Sequence, residues 1–293
     1  MTIPTFAIVT PSYTPDFERC AFLCESIREF VSPEVRHYIV VDANDYALFS
    51  SLADRNTQIT VKEDLLPRWL QKIPFSRKNI WFNWRGFPVR GWLIQQIIKI
   101  AQAAAISEEV AVFVDSDVAF VRPVDLHSLL QGKLVRFHDE PGGNFASMID
   151  HVKWHQAACD LLGVSPTPIP APDYIADIIT WRRDNVVRLC QHLESVSGKH
   201  WISAIIQTWH FSEYVLYGTF VDRVLGEDSG HYRDASKILY EYFEAKALTP
   251  AQLQEFVANI SPEHVAVMIS AKANMEVDAY RHALKSIAAP VPR

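Results

Sequence analysis

The chain lacks most of the short motifs that announce a chemistry. It has no C-x-x-C pair, no G-x-G-x-x-G turn, no Walker A loop and no H-E-x-x-H helix. Zinc ribbons, thioredoxin-type redox sites, Rossmann dinucleotide fingerprints and zinc peptidases are therefore not suggested. There are only 4 cysteines among 293 residues. Cys20 and Cys24 fall one helical turn apart on an apolar face, a spacing that predicts buried free thiols. No apolar run reaches the length of a membrane span. Met1 to Thr10 lacks the basic start and long apolar core of a signal peptide, so a cytoplasmic protein is the expectation. The net charge of −6 argues against a general nucleic-acid binder, which needs a basic face. No internal repeat or low-complexity segment appears.

What is present is ordinary for a folded protein: 49% hydrophobic and 21% charged residues. Apolar strands alternate with helical patterns, which predicts an α/β fold with a mainly parallel sheet. Thr5 to Thr10, Tyr38 to Val41 and Ile59 to Val61 read as the first three strands. Thr14 and Pro15 read as the cap and first position of the intervening helix.

The most informative stretch runs from Val110 to Pro123. Val110 to Val114 reads as a strand buried on both faces, ending in Asp115-Ser116-Asp117. In an extended chain the two carboxylates point the same way and Ser116 the other. Two like charges that close call for a cation, a proton or a basic side chain between them. Carboxylate oxygens suit Mg²⁺ or Mn²⁺. A chain of this length carries about one D-x-D by chance, and a solvated turn is the rival reading. The position outside the carboxyl end of a strand, where ligands sit in open α/β sheets, favours the metal and phosphate reading.

This strand with its D-x-D, followed by Val118 to Pro123 and preceded by the helix from Gly91 to Lys99, resembles the corresponding segment of GT-A glycosyltransferases. It is similar to a bacterial family of largely uncharacterised glycosyltransferase-like proteins. The resemblance is closest over residues 5–140 and extends through Asp173 to Arg183 and Ser212 to Gly218. It implies a single GT-A-like, Rossmann-type domain over 1–293, with helical C-terminal additions. Residues 1–140 would form the nucleotide- and metal-binding half, 141–293 the acceptor-binding half. The implied activity is metal-dependent transfer of a sugar from a nucleoside diphosphate donor, UDP-sugar favoured, to a saccharide or glycoconjugate. Polysaccharide biosynthesis follows from the resemblance alone, and peripheral membrane contact is compatible with it.

Site residues are carried over one by one. Asp115 and Asp117 would hold Mn²⁺ or Mg²⁺ beside Ser116. The loop Thr10, Pro11, Ser12 and Tyr13 would touch the nucleotide, or serve only as a βα turn. Asp42, at the end of the second strand, would bond base or ribose, or merely cap the helix near Asp45. Gln95, Gln96 and Lys99 would contact sugar or diphosphate. Their polar stripe is equally consistent with a solvent face. Ser212 reads as an N-cap, placing Glu213 at the positive end of a helix as candidate catalytic base. Asp177 is the second candidate, on a strand spanning Asp173 to Trp181, with Asp184 or Asn185 capping the following helix. His231 is a candidate third metal ligand by analogy with retaining enzymes.

Pro67 to Trp92 carries Arg68, Lys72, Arg77, Lys78, Arg85 and Arg90, no acidic residue, and Trp69, Trp81, Trp84 and Trp92. It reads as a substrate-facing loop, against core tryptophans with a solvated basic face. Two rivals to transfer stand: a D-x-D phosphohydrolase, whose motif normally opens the chain, and a non-catalytic nucleotide-sugar-binding protein.

Overall fold

A computed structural model describes residues 3–73, 80–176 and 178–288. The chain opens with β1 (Phe6–Pro11), α1 (Phe17–Phe30), β2 (Arg36–Val41), α2 (Tyr46–Phe49), β3 (Thr57–Val61) and α3 (Lys62–Leu65). A small ribbon follows, of β4 (Leu70–Lys72), β5 (Ile80–Asn83) and β6 (Val89–Arg90). Next come α4 (Gly91–Ala105), β7 (Val110–Val114), β8 (Val118–Phe120), β9 (Leu130–Gln131), β10 (Leu134–His138) and β11 (Glu140–Asn144). After α5 (Ile149–Leu162) stand β12 (Ala171–Asp173), β13 (Ile178–Arg182), α6 (Arg183–Ser197), α7 (Trp201–Ile205) and α8 (Glu213–Phe220). The chain closes through β14 (His231–Asp234), β15 (Leu239–Tyr242), α9 (Pro250–Ala258), β16 (Ala266–Ile269) and α10 (Val277–Ala288).

The central sheet has the order β13-β7-β1-β2-β3, parallel except for β13, which runs antiparallel to β7. The fold is therefore mixed α/β with a parallel-rich sheet. Its strands read as continuous apolar runs because both faces are covered. Val110, Val112 and Val114 of β7 join one apolar cluster, with α1 residues Leu23 and Ile27. Ala111 and Phe113 join the other, under α4, α6 and α8. Phe113 is 1% exposed, its ring 4.6 Å from Trp181. Burying one such side chain stabilises by ~1.5–3 kcal/mol.

Register decides where the chemistry falls. β1 and β7 pair with Val9 opposite Phe113, so the loop after Pro11 and the turn after Val114 emerge side by side. Beyond that turn β8 pairs antiparallel with β16, tying it to the C-terminal layer of α9 and α10.

Several local expectations are corrected. Thr14 does not cap a helix: its hydroxyl donates to Asp45 at 2.6 Å, and a 3₁₀ turn, Thr14–Asp16, precedes α1. Asp173 lies in β12 and not in β13. Asn185 donates to the Ser229 carbonyl at 2.7 Å instead of capping α6, which starts from Arg182 and not from Asp184 or Asn185. Cys20 and Cys24 are buried free thiols, as expected, and Thr249 and Gln252 form the capping box of α9.

Candidate functional site

A cleft of about 380 Å³ opens at the carboxyl ends of β1 and β7. It is lined from four directions. The turn after β1 supplies Pro11, Ser12 and Tyr13, with Asp16 behind them; the turn after β7 supplies Asp115, Ser116 and Asp117. One face of α4 supplies Gln95, Gln96 and Lys99, and the start of α8 supplies Ser212, Glu213 and Tyr214. Trp92, Trp154, Ile175 and Lys62 complete the wall.

The D-x-D is a turn and not extended strand. β7 ends at Val114, and the Val118 N–H donates to the Asp115 carbonyl at 3.2 Å. Strict alternation is thereby lost, and Ser116 lines the cleft together with both aspartates instead of pointing away. The Asp115 side chain is 52% exposed. Asp117 is deeper, and its Oδ2 accepts the Ala271 N–H at 2.9 Å, a bond from the C-terminal layer. Burial pushes the Asp117 pKa up to about 6, opposed by that bond and reinforced by the charges of Asp115 and Asp16. Burial raises Asp16 as well. Three carboxylates thus crowd one corner, with Arg19 3.4 Å from Asp16.

On the opposite wall Lys99 is almost enclosed. Its Nζ lies 3.0 Å from Glu213 Oε1 and 3.7 Å from Asp115 Oδ1, and donates to Tyr214 Oη at 2.8 Å. Burial acts to lower its pKa, but Asp115, Tyr214 and Glu213 outweigh it and hold it well above ordinary lysine. Burial also raises Tyr214, which stays a phenol. Glu213 is only 4% exposed and opens α8, where Ser212 Oγ caps by accepting from the Val215 N–H at 3.4 Å.

Gln96 completes the positioning. Its Oε1 accepts the Glu213 backbone N–H at 3.2 Å, which fixes the amide orientation. That leaves Nε2, buried at the cleft wall, with no hydrogen-bond partner among the described residues. A buried donor without an acceptor costs ~1–3 kcal/mol. A ligand oxygen in the cleft would satisfy it.

The donor set fits a hard divalent cation: carboxylate oxygens only, one of them open to the cleft, beside an acid whose charged form is disfavoured. Among the described residues no group of three His, Cys, Asp or Glu side chains converges to hold a metal alone. A cation here would complete its coordination with ligand and water oxygens.

Three expected contributors stand elsewhere. His231 is at the far end of β14, with Nε2 2.8 Å from Tyr217 Oη and Nδ1 3.0 Å from the Val135 carbonyl, so both ring nitrogens are engaged away from the cleft. Burial lowers its pKa to about 4 and keeps it neutral. Thr10 is enclosed within β1, its Oγ1 2.9 Å from His37 Nε2. Asp42 does not line the cleft. Its Oδ1 lies 2.5 Å from Lys62 Nζ and 3.2 Å from Lys72 Nζ, and it thereby anchors the lysine that does. Asp177 lies outside the described residues, as do Arg77 and Lys78. Asp16, Lys62, Tyr214 and Trp154 escaped the sequence reading. Asp16 reads there as a helix-start acid, and nothing local to the other three marks them.

No curated protein matches this sequence. The model of a family of unknown function, DUF6492, matches residues 4–249, and the chain belongs to that family.

Proposed function

We propose that the cleft binds a nucleoside diphosphate sugar with a divalent cation and transfers the sugar to an acceptor hydroxyl, in a domain of GT-A type. The observation that carries this reading is the convergence of Asp115, Asp117, the Pro11–Tyr13 loop, Gln96, Lys99 and Glu213 on one cleft from four separate elements.

Asp115 and Asp117 would hold Mn²⁺ or Mg²⁺. The cation supplies charge neutralisation to the leaving diphosphate. Gln96 Nε2 donates to an oxygen of the bound donor. Lys99, held by Glu213 and Tyr214, presents a fixed positive charge to the same anion. Glu213 accepts the proton as the acceptor O–H bond breaks. The new bond from that oxygen to the anomeric carbon forms as the bond to diphosphate breaks, its electron pair leaving on the phosphate oxygen.

Calorimetry of UDP and GDP with and without Mn²⁺, on the wild type and on Asp115→Ala/Asp117→Ala, tests the reading. Manganese-dependent binding of one nucleotide, lost in the variant, is expected. No binding of either would refute it. Binding followed by hydrolysis of a UDP-sugar with no transfer to any acceptor would favour the phosphohydrolase, and binding with neither reaction a non-catalytic protein.

A further inference from the structure

The ribbon β4-β5-β6 presents two unlike faces. β5 pairs with β4 and β6 so that Trp81 stands opposite Lys72 and Val89, whereas Phe82 stands opposite Gln71 and Ile80 opposite Arg90. Trp81 and Val89 turn inward and are buried. Ile80, Phe82 and Arg90 therefore share the outward face. The face continues at both ends. Trp84 packs edge-on against Phe82 at 4.9 Å, and Phe87 stands on the following hairpin turn. At the other end the Arg90 guanidinium lies 4.1 Å from the Trp209 ring and 5.9 Å from Trp92.

This is the aromatic pole of the molecule: Phe87 is 91% exposed, Trp209 69%, Trp84 68%. A contiguous patch of that kind is an interaction surface and not the scattered apolar exposure of an ordinary monomer. Its charge is equally distinct. Lys72, on the inward side, is held 3.2 Å from Asp42, but Arg68, Arg85 and Arg90 are exposed, and the segment from Pro67 to Trp92 has no acidic residue in a chain of net charge −6. Arg68, Arg85 and Arg90 make no ion pair among the described residues; Arg85 instead lies over the Trp69 ring at 4.7 Å, as Arg90 does over Trp209.

We infer that this face docks on an anionic lipid bilayer. Exposed indoles and phenyls with unpaired arginines among them match the headgroup boundary, where aromatic rings enter and guanidinium groups meet phosphate. The acidic remainder is repelled from the same surface, so the molecule is oriented as well as attached. Trp92 belongs both to this face and to the cleft wall, so docking sets the mouth of the cleft at the bilayer. On the transfer reading proposed above, the acceptor is then lipid-borne.

The test is co-sedimentation of the full chain with phosphatidylcholine vesicles, with and without phosphatidylglycerol. The same measurement follows Trp84→Ser/Phe87→Ser and Arg85→Gln/Arg90→Gln, with circular dichroism confirming their fold. Binding to the anionic vesicles alone, weakened by salt and reduced about tenfold or more in each double variant, is expected. No nucleotide is present, so the result is independent of whether the cleft binds one. Wild type left in the supernatant with anionic vesicles, or variants that bind equally, would overturn the inference. So would a homodimer that Trp84→Ser/Phe87→Ser dissociates, which would assign the face to a second copy, or binding to a soluble polysaccharide through these residues with none to vesicles.

Discussion

Lys99 Nζ and Glu213 Oε1 stand 3.0 Å apart, joining the middle of α4 to the first residue of α8 across the wall of the cleft. Both side chains are nearly closed off from solvent, at 11% and 5% exposure. Removing Lys99 leaves the buried Glu213 carboxylate uncompensated, whereas removing Glu213 leaves Lys99 only the more distant Asp115, at 3.7 Å. Lys99→Met and Glu213→Gln should each destabilise, Lys99→Met by ~3–5 kcal/mol. The double variant should lose less than the sum by ~1–3 kcal/mol. Urea unfolding of the four proteins measures the coupling; strict additivity would show that the pair acts as two independent residues.

Glu213→Gln keeps the size and position of the side chain but cannot accept a proton. On the transfer reading, kcat should fall by ~10²–10⁴ while donor binding by calorimetry stays near wild type. Unchanged turnover in this variant would take the base role away from Glu213.

Asp117 gives a pH signature. Its folded pKa of about 6 lies above the ordinary value of 3.8, so the native state holds the proton more tightly than the unfolded chain. Its contribution to stability is fully present below pH 3.8 and is lost as pH rises through about 6. Asp117→Asn still accepts the Ala271 N–H. It should therefore match wild type below about pH 4 and exceed it by ~1–3 kcal/mol above about pH 6, in metal-free buffer. A constant difference across that range would rule out burial of the carboxylate as the cause.

The same titration governs the cation. If Asp117 holds Mn²⁺ as proposed, the cation competes with its proton, so affinity should climb up to about tenfold per pH unit below pH 6 and level off above it. Calorimetry of Mn²⁺ with UDP from pH 5 to pH 8 follows this. A flat profile would place the cation away from Asp117.

Gly218 lies in α8 where an added Cβ would sit 2.2 Å from Cγ of Tyr174. That ring is buried, 5.5 Å from Phe137 and 5.8 Å from His155, and cannot swing aside. Gly218→Ala should destabilise by ~1–3 kcal/mol despite the better helix propensity of alanine. A variant as stable as wild type would mean that α8 shifts freely, and with it Glu213.

Much of the frame is local in origin and so was legible. Val110 to Val114 declares a doubly buried strand by composition, Gly91 to Ile106 a helix by period, and Ser212 a cap by residue type, because each depends on neighbours a few positions away. That the sheet is mainly parallel follows from strand and helix alternation, whereas the order of its strands does not. The resemblance, and not local pattern, named Asp115, Asp117, Gln96, Lys99 and Glu213 for one site; they line one cleft, although alternation was the wrong reason for the two aspartates: a turn, not a pleat, brings them in. What the sequence could not determine is every relation set by distant packing. Asp42 looked free until β3, α3 and β4 brought Lys62 and Lys72 against it. His231 looked available until Tyr217 and the Val135 carbonyl claimed its ring. The ribbon's two faces, one buried in the core and one exposed, came from cross-strand register. Register is a property of two segments at once, and no single stretch of sequence carries it.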